Sequence, residues 1–245
     1  MGWLVVCLSM GMSADEALVG AAANFAEPLT EVERAFESAY PHRLRIAVGA
    51  TGKLYAQILH GAPFDVLLAA DQERPMLLER DGFAVPGSRH TYAVGRLTLW
   101  SADPERIRGD VPALLVSREF RRMAMANPEL APYGAAAREV LQGFGLYAAL
   151  REKIVTAENI GQTYAMVATG NAEIGFVAAS AAPGAGGGSR WDVPADLHAP
   201  IRQDAVLLAR AANNVAARAF LDFLRGNRAQ KIISGFGYGL EQQEQ

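Results

Sequence analysis

From residue 15 onward the chain alternates short apolar runs with stretches whose apolar side chains recur every three or four positions. That alternation predicts an α/β protein with helices on the faces of its sheets. A strand over 17–23 leads into an amphipathic helix over 27–40, where Leu29, Val32, Phe36 and Ala39 fall at near-helical spacing and Pro41 ends the run. A strand over 43–48, a helix over 52–60 and an apolar strand over 64–69 complete a βαβαβ order. A short helix over 71–80 is closed by Asp81-Gly82, and a long strand follows over 91–100. The pattern then repeats, with strands over 123–126, 153–156 and 173–178 and helices over 133–144 and 160–169. The Gly-rich stretch 183–189 lacks the Gly-Lys-Ser/Thr of a phosphate loop and reads as a surface loop. A strand over 204–209 and a helix over 212–225 precede a terminal segment ending Gly235-Phe236-Gly237-Tyr238-Gly239.

Two strand-rich halves imply two lobes, each a sheet flanked by helices. The strands over 91–100 and 204–209 are the expected crossings, which makes residues 15–95 with 205–245 one lobe and residues 96–204 the other. Two crossing strands form a natural hinge. In open α/β sheets ligands bind beyond the carboxyl ends of the strands. At four such places an apolar run ends in a small-residue turn and a helix begins: Ala21-Ala22-Ala23-Asn24-Phe25, Gly49-Ala50-Thr51-Gly52-Lys53, residues 127–134, and Glu158-Asn159-Ile160-Gly161-Gln162. A helix start presents unpaired N–H groups and the positive end of the helix dipole. Four converging starts make a cage for a small oxyanion without a basic side chain. The Asn24 amide, the Thr51 hydroxyl and the Tyr133 phenol are candidate donors beside the main chain. Each also has a plainer reading. Asn24 and Thr51 are ordinary helix-start residues, Gly52 and Gly161 permit tight turns, Tyr133 packs a lobe edge, and Lys53 is a solvated helix residue. The joint occurrence, two turns in each lobe, favours the cage.

Composition narrows the classes. The 245 residues are 51% hydrophobic and 20% charged, enough for a real core, and the formal net charge of −3 with no dense basic cluster argues against nucleic acid. A bound anion would be held by local dipoles, since the global field mildly repels it. The apolar stretch 3–12, followed by Ser13-Ala14-Asp15, reads as the core of a secretory leader over 1–14, although no Lys or Arg precedes it. Cys7 is the only cysteine and lies inside that leader, so the mature chain is expected to have no disulfide and no cysteine metal site. His42, His60, His90 and His198 show neither metal-ligand spacing nor a Ser or Cys partner. An enzyme on the same frame would need paired groups such as Asp65 and Asp71, which flank an apolar strand and read more simply as strand-end or capping carboxylates.

Taken in order, these residues resemble the periplasmic molybdate-binding proteins. The resemblance is carried by Ala21-Ala22-Ala23-Asn24-Phe25, residues 49–58, Gly61-Ala62-Pro63, Ala69-Ala70-Asp71, residues 83–89, residues 127–134 with their Ala-Pro-Tyr-Gly, Asn159-Ile160-Gly161-Gln162 and Gly175-Phe176-Val177-Ala178. It covers nearly all of the chain after Asp15. It implies a two-lobed periplasmic-binding-protein fold of type II and a monomeric, non-enzymatic solute-binding component of an ABC importer. The implied ligand is molybdate or tungstate, with no cofactor and a membrane permease as partner. The family's ligand positions fall on Ala23, Asn24, Thr51, Tyr133 and Ile160. This chain departs from the family pattern at three of them: Ala23 replaces a hydroxyl residue, Thr51 stands where Ser is more frequent, and Ile160 replaces Val. Binding of sulfate or phosphate instead is the alternative.

Overall fold

The computed structural model describes residues 15–182 and 187–240. The leader expected over 1–14, with Cys7, lies outside the described residues, as does the 183–186 part of the Gly-rich loop. The architecture is two five-stranded sheets with helices on their faces, the α/β arrangement expected from the alternating pattern.

The first sheet collects β1 (Glu16–Ala22), β2 (Arg43–Gly49), β3 (Val66–Leu68), β4 (His90–Gly95) and β10 (Ile201–Leu207), in the order β2-β1-β3-β10-β4. Strand β1 runs parallel to β2 and β3, and β10 is inserted antiparallel between β3 and β4. The second sheet collects β5 (Leu97–Ser101), β6 (Met123–Ala126), β7 (Ile154–Ala157), β8 (Ile174–Ala178) and β9 (Ser189–Asp192), in the order β7-β6-β8-β5-β9. Here β6 is parallel to β7 and β8, while β5 is the inserted antiparallel strand. The two sheets share one plan, and in each the antiparallel strand is the first one made after the chain has crossed from the other. We call each sheet with its helices a lobe.

The helices follow the predicted order. In the first lobe α1 (Ala26–Glu37) continues a 3-10 turn at Ala23–Phe25, and α2 (Thr51–Leu59) and α3 (Glu73–Arg80) follow their strands. In the second lobe come α4 (Val111–Ser117), α5 (Pro132–Gly143), α6 (Tyr147–Leu150) and α7 (Ile160–Ala168). The C-terminal pair α8 (Val215–Arg225) and α9 (Asn227–Gly235) packs back on the first sheet. Helix α1 buries Leu29, Val32 and Phe36 against Phe220 and Leu224 of α8, a core that removes several large apolar side chains from water at roughly 1.5–3 kcal/mol each. A second core joins Val140 and Leu141 of α5 to Phe176 of β8, and it includes Ala22, Ala70 and Ile201 from the first lobe. Apolar contact is therefore continuous across the lobe interface.

Several expectations need correction. The single strand expected over 91–100 is two strands, β4 and β5, with Arg96 between them. Each half pairs with a different sheet, so the pairing partner changes where the apolar pattern does not. The second crossing lies in residues 193–200, ahead of β10, and β10 itself begins at Ile201 rather than at 204. Strand β9 and helices α4, α6 and α9 were not expected. Helix α4 is short and opens on an Asp110 cap to the Ala113 N–H at 3.2 Å, and β9 begins inside the stretch read as a loop.

Candidate anion-binding site at the lobe interface

The four helix starts meet at the seam between the lobes. One small cavity is lined by Ala22, Ala23 and Asn24, by Gly49, Ala50 and Thr51, by Ala131, Pro132 and Tyr133, and by Asn159 and Ile160, with Ala70 beside them. All five residues expected at the site, Ala23, Asn24, Thr51, Tyr133 and Ile160, are in that wall. None of the lining residues is charged.

The caps of these helices explain why the donors are free. A helix normally spends a Ser, Thr, Asp or Asn side chain on its first N–H groups, and Ala is strongly disfavoured there. Three of the four starts nevertheless follow an alanine: Ala22, Ala50 and Ala131 sit at the cap position and offer no side-chain acceptor. The N–H groups of Thr51 and Tyr133 precede the first intrahelical bond and point toward the cavity end of their helices. At α7 the cap is Asn159, whose Oδ1 takes the Gln162 N–H at 3.0 Å and leaves the first-turn N–H of Ile160. Thr51 is buried, and its Oγ1 already accepts from the Ala70 N–H at 3.0 Å, so the hydroxyl proton is the part it can offer a ligand.

The side chains of Asn24 and Tyr133 do something else. Asn24 Nδ2 donates to Gln203 Oε1 at 2.8 Å and to the Tyr238 hydroxyl at 3.1 Å. The Tyr133 hydroxyl accepts from Gln203 Nε2 at 3.1 Å. Burial holds the Tyr133, Tyr92 and Tyr238 phenols protonated, well above or above their usual range. What Asn24 and Tyr133 present to the cavity is main-chain N–H, while their side chains serve the interior behind it. Gln203 and Tyr238 were not expected from sequence. The available signal was Gln203-Asp204, two polar residues that follow the exposed Arg202 and are buried with the rest of the strand.

The lobes are drawn together over this cavity. The Gly52 N–H donates to the Leu130 carbonyl at 2.9 Å, and Arg74 Nη2 donates to the Glu129 carbonyl at 3.0 Å. Lys53 pairs with Glu158 across the seam at 2.6 Å. A Cβ on Gly52 would stand 3.1 Å from Leu130 Cα, so a side chain there would press the lobes apart. The Glu129 carboxylate is held by Arg138 at 2.6 Å, so neither Glu129 nor Glu158 offers the cavity an unpaired charge.

Asp65 and Asp71, the carboxylates weighed for catalysis, are each engaged structurally. Asp65 accepts from the Leu18 N–H at 2.7 Å and pairs with Arg210 at 2.8 Å. Asp71 caps the Arg74 N–H at 3.0 Å and also holds its guanidinium. Burial pushes the Asp71 carboxyl up, against the opposing pull of Arg74. Among the described residues no group of His, Cys, Asp and Glu is placed to hold a metal ion.

Known proteins fit this picture. The family described as bacterial extracellular solute-binding protein matches residues 17–239. The molybdate-binding protein ModA of Rhodobacter capsulatus is 48% identical over 238 residues, spanning 97% of this chain and 94% of that protein. ModA of Azotobacter vinelandii is 47% identical, spanning 97% of each chain. The solved periplasmic molybdate-binding protein of Azotobacter vinelandii has the same fold at a TM-score of 0.88, with 38% identity over 92% of this chain and 100% of that one. With its caged seam, its two matching sheets and these relatives, the chain belongs to the family of bacterial extracellular solute-binding proteins, beside the ModA proteins within it.

Proposed function

We propose that this protein captures molybdate, and tungstate with it, in the periplasm and delivers it as a monomer to the membrane permease of an ABC importer. No chemical step is involved. The observation that carries the reading is the set of helix starts with alanine caps, which leaves main-chain donors uncommitted in a cavity without charged side chains. The donors are the N–H groups of Ala23, Asn24, Thr51, Tyr133 and Ile160 together with the Thr51 hydroxyl. Helix-end partial charges stabilise a dianion in such dry surroundings. Ala23 gives only its N–H, and Thr51 supplies the one side-chain donor.

Closure moves the first lobe, residues 15–95 with 201–240, as one body against the second lobe, residues 97–192, with the hinge at Arg96 and in the segment 193–200 before β10. The open form takes the anion on one lobe, the other lobe completes the cage, and a permease that holds the open form releases it. Selection against sulfate rests on cavity size, because charge and shape are alike. Selection against hydrogen phosphate rests on the cavity wall having no carboxylate to accept its proton. Calorimetry on the mature protein tests both. Molybdate and tungstate are expected to bind well below micromolar and sulfate at least about a hundredfold more weakly. Comparable affinities for sulfate would overturn the selectivity, and no binding of any of these anions would overturn the reading.

A further inference from the structure

Behind the cage lies a buried polar cluster that anion capture does not by itself require. Gln203 on β10 is its centre and is fully buried. Its Oε1 accepts from Asn24 Nδ2 at 2.8 Å and from the Tyr92 hydroxyl at 3.1 Å, both in the first lobe. Those bonds fix the carboxamide so that its nitrogen points out of the first lobe, where it meets the Tyr133 hydroxyl of the second at 3.1 Å. Tyr238 donates to the Asn24 carbonyl at 2.7 Å and accepts from Ser180 of the second lobe at 3.0 Å. The Tyr133 hydroxyl is therefore bonded across the seam, to Gln203 of the first lobe, and Ser180 reaches Tyr238 across it as well.

Two further facts give this cluster a direction. Gly95 is the last residue of β4, immediately before the crossing at Arg96, and a Cβ there would stand 2.1 Å from the Tyr133 hydroxyl oxygen and 2.8 Å from Cζ. The phenol is seated against bare backbone at the hinge itself. Meanwhile the main chain of Tyr133 is in the first turn of α5, with its N–H at the cage. One residue spans the distance from the anion to the hinge.

We propose that Tyr133 is the positioning residue for closure: its phenol, seated at Gly95 and held by Gln203, sets the lobe angle at which the cage donors meet the anion. This rests on the capture reading given above. In an open cleft the phenol and the Gln203 amide meet water; in the closed one they are paired in a dry interior. In a half-closed cleft they would be dry and unpaired, which is costly, so intermediate angles are disfavoured and closure becomes all-or-none.

Tyr133→Phe tests this, because it keeps the ring and the main-chain N–H and removes only the hydroxyl. The ligand-free protein is expected to keep its melting temperature, since no bond within one lobe is lost. Molybdate is expected to leave roughly tenfold to hundredfold faster, with Kd rising in proportion. Small-angle scattering at saturating molybdate should show the wild-type chain contract and the variant contract incompletely. Ser180→Ala, a milder cut in the same seam, should speed release severalfold. Wild-type protein that binds no molybdate sinks the capture reading itself. Wild-type protein that binds tightly while both variants release at its rate overturns the positioning role alone. So does a fall in the ligand-free melting temperature of Tyr133→Phe as large as its fall with molybdate bound, which marks the hydroxyl as ordinary packing.

Discussion

The cage and the buried cluster behind it share Asn24 and Tyr133, yet they follow opposite rules of polar chemistry. In the cluster every polar side chain has its partners: Gln203, Asn24, Tyr92, Tyr238 and Ser180 exchange hydrogen bonds between 2.7 and 3.1 Å. In the cage the side chains that would satisfy the helix starts are missing, since alanine stands at three of the four caps. A region that holds its own shape satisfies its donors internally, whereas a region that holds a ligand withholds the acceptors. The contrast can be attacked from either side.

The largest effect is expected from supplying the missing acceptor. Ala50→Asp would place a carboxylate at the cap of α2, where it can take the first-turn N–H groups and support the helix by about 0.5–2 kcal/mol. The same carboxylate would face the bound anion, and at about 4 Å and an effective dielectric near 20 each pair of unit charges repels by about 4 kcal/mol. Molybdate affinity is therefore expected to fall more than a hundredfold while the ligand-free melting temperature holds. A variant that still binds molybdate tightly would place the anion away from α2.

Next come Thr51→Ala and Asn24→Ala, which look alike in sequence and should separate in the test tube. Thr51→Ala removes the cage's side-chain donor, and a donor to a charged group is worth about 1.5–3 kcal/mol, or roughly tenfold to hundredfold in Kd. Thr51→Ser should restore most of it. Asn24→Ala leaves the cage donor intact, because that donor is main chain. It strips Gln203 Oε1 and the Tyr238 hydroxyl of a buried partner, so about 1–3 kcal/mol should be lost already in the ligand-free protein. Thr51→Ala also strips the buried Ala70 N–H of its acceptor, so molybdate titrations of the folded variants decide between them: Kd should rise for Thr51→Ala and stay near wild type for Asn24→Ala. An Asn24→Ala protein as stable as wild type but weak in binding would return the amide to the cage.

This separation also shows what the sequence could and could not convey. The alternation of strand and helix was readable because apolar periodicity is set locally, and the four helix starts were readable because turns have characteristic residues. The roles of Asn24 and Tyr133 were not, because their partners Gln203 and Tyr238 come from the far end of the chain and from the opposite side of a hinge. Residue type pointed to a donor, while only the fold says whom it serves. The alanine caps were in plain view at positions 22, 50 and 131. An alanine carries no chemistry of its own, and its meaning depends on knowing that a helix begins just after it. The split of the strand expected over 91–100 failed for a related reason, since a change of sheet at Arg96 leaves no mark on the hydrophobic pattern.

A smaller effect is expected at the rim. Lys53 and Glu158 close the seam at 2.6 Å, but their side chains are 47% and 39% exposed, and exposed ion pairs contribute about 0.2–1 kcal/mol. Lys53→Ala should weaken molybdate binding no more than about fivefold, and 0.5 M salt should shrink the difference by screening the pair. A hundredfold loss that persists in high salt would mean that the ammonium reaches the anion, and the cage would no longer be neutral.

The smallest expected change is none at all, and it separates cage from fold by pH. The cavity wall holds no carboxylate, imidazole or amine, and its one phenol, Tyr133, is kept neutral by burial. The fold does hold a titrating group: burial, with the charge of Arg225, pushes the His90 imidazole down to about 4, against the Ser88 carbonyl, Asp204 and Asp222, which favour the charged form. An unfolded imidazole titrates near 6.5, so the unfolded chain takes up a proton first as pH falls. Because the folded value is the depressed one, the contribution of neutral His90 is complete above about 6.5 and drains away as pH drops toward about 4, up to about 3 kcal/mol in all. The ligand-free melting temperature should therefore fall across that window, and His90→Gln should flatten the fall. Between pH 8 and pH 6 the molybdate Kd of the folded protein should stay level. A severalfold change in Kd over that range would put a titrating group within reach of the anion, and the distinction between a neutral cage and a charged frame would fail.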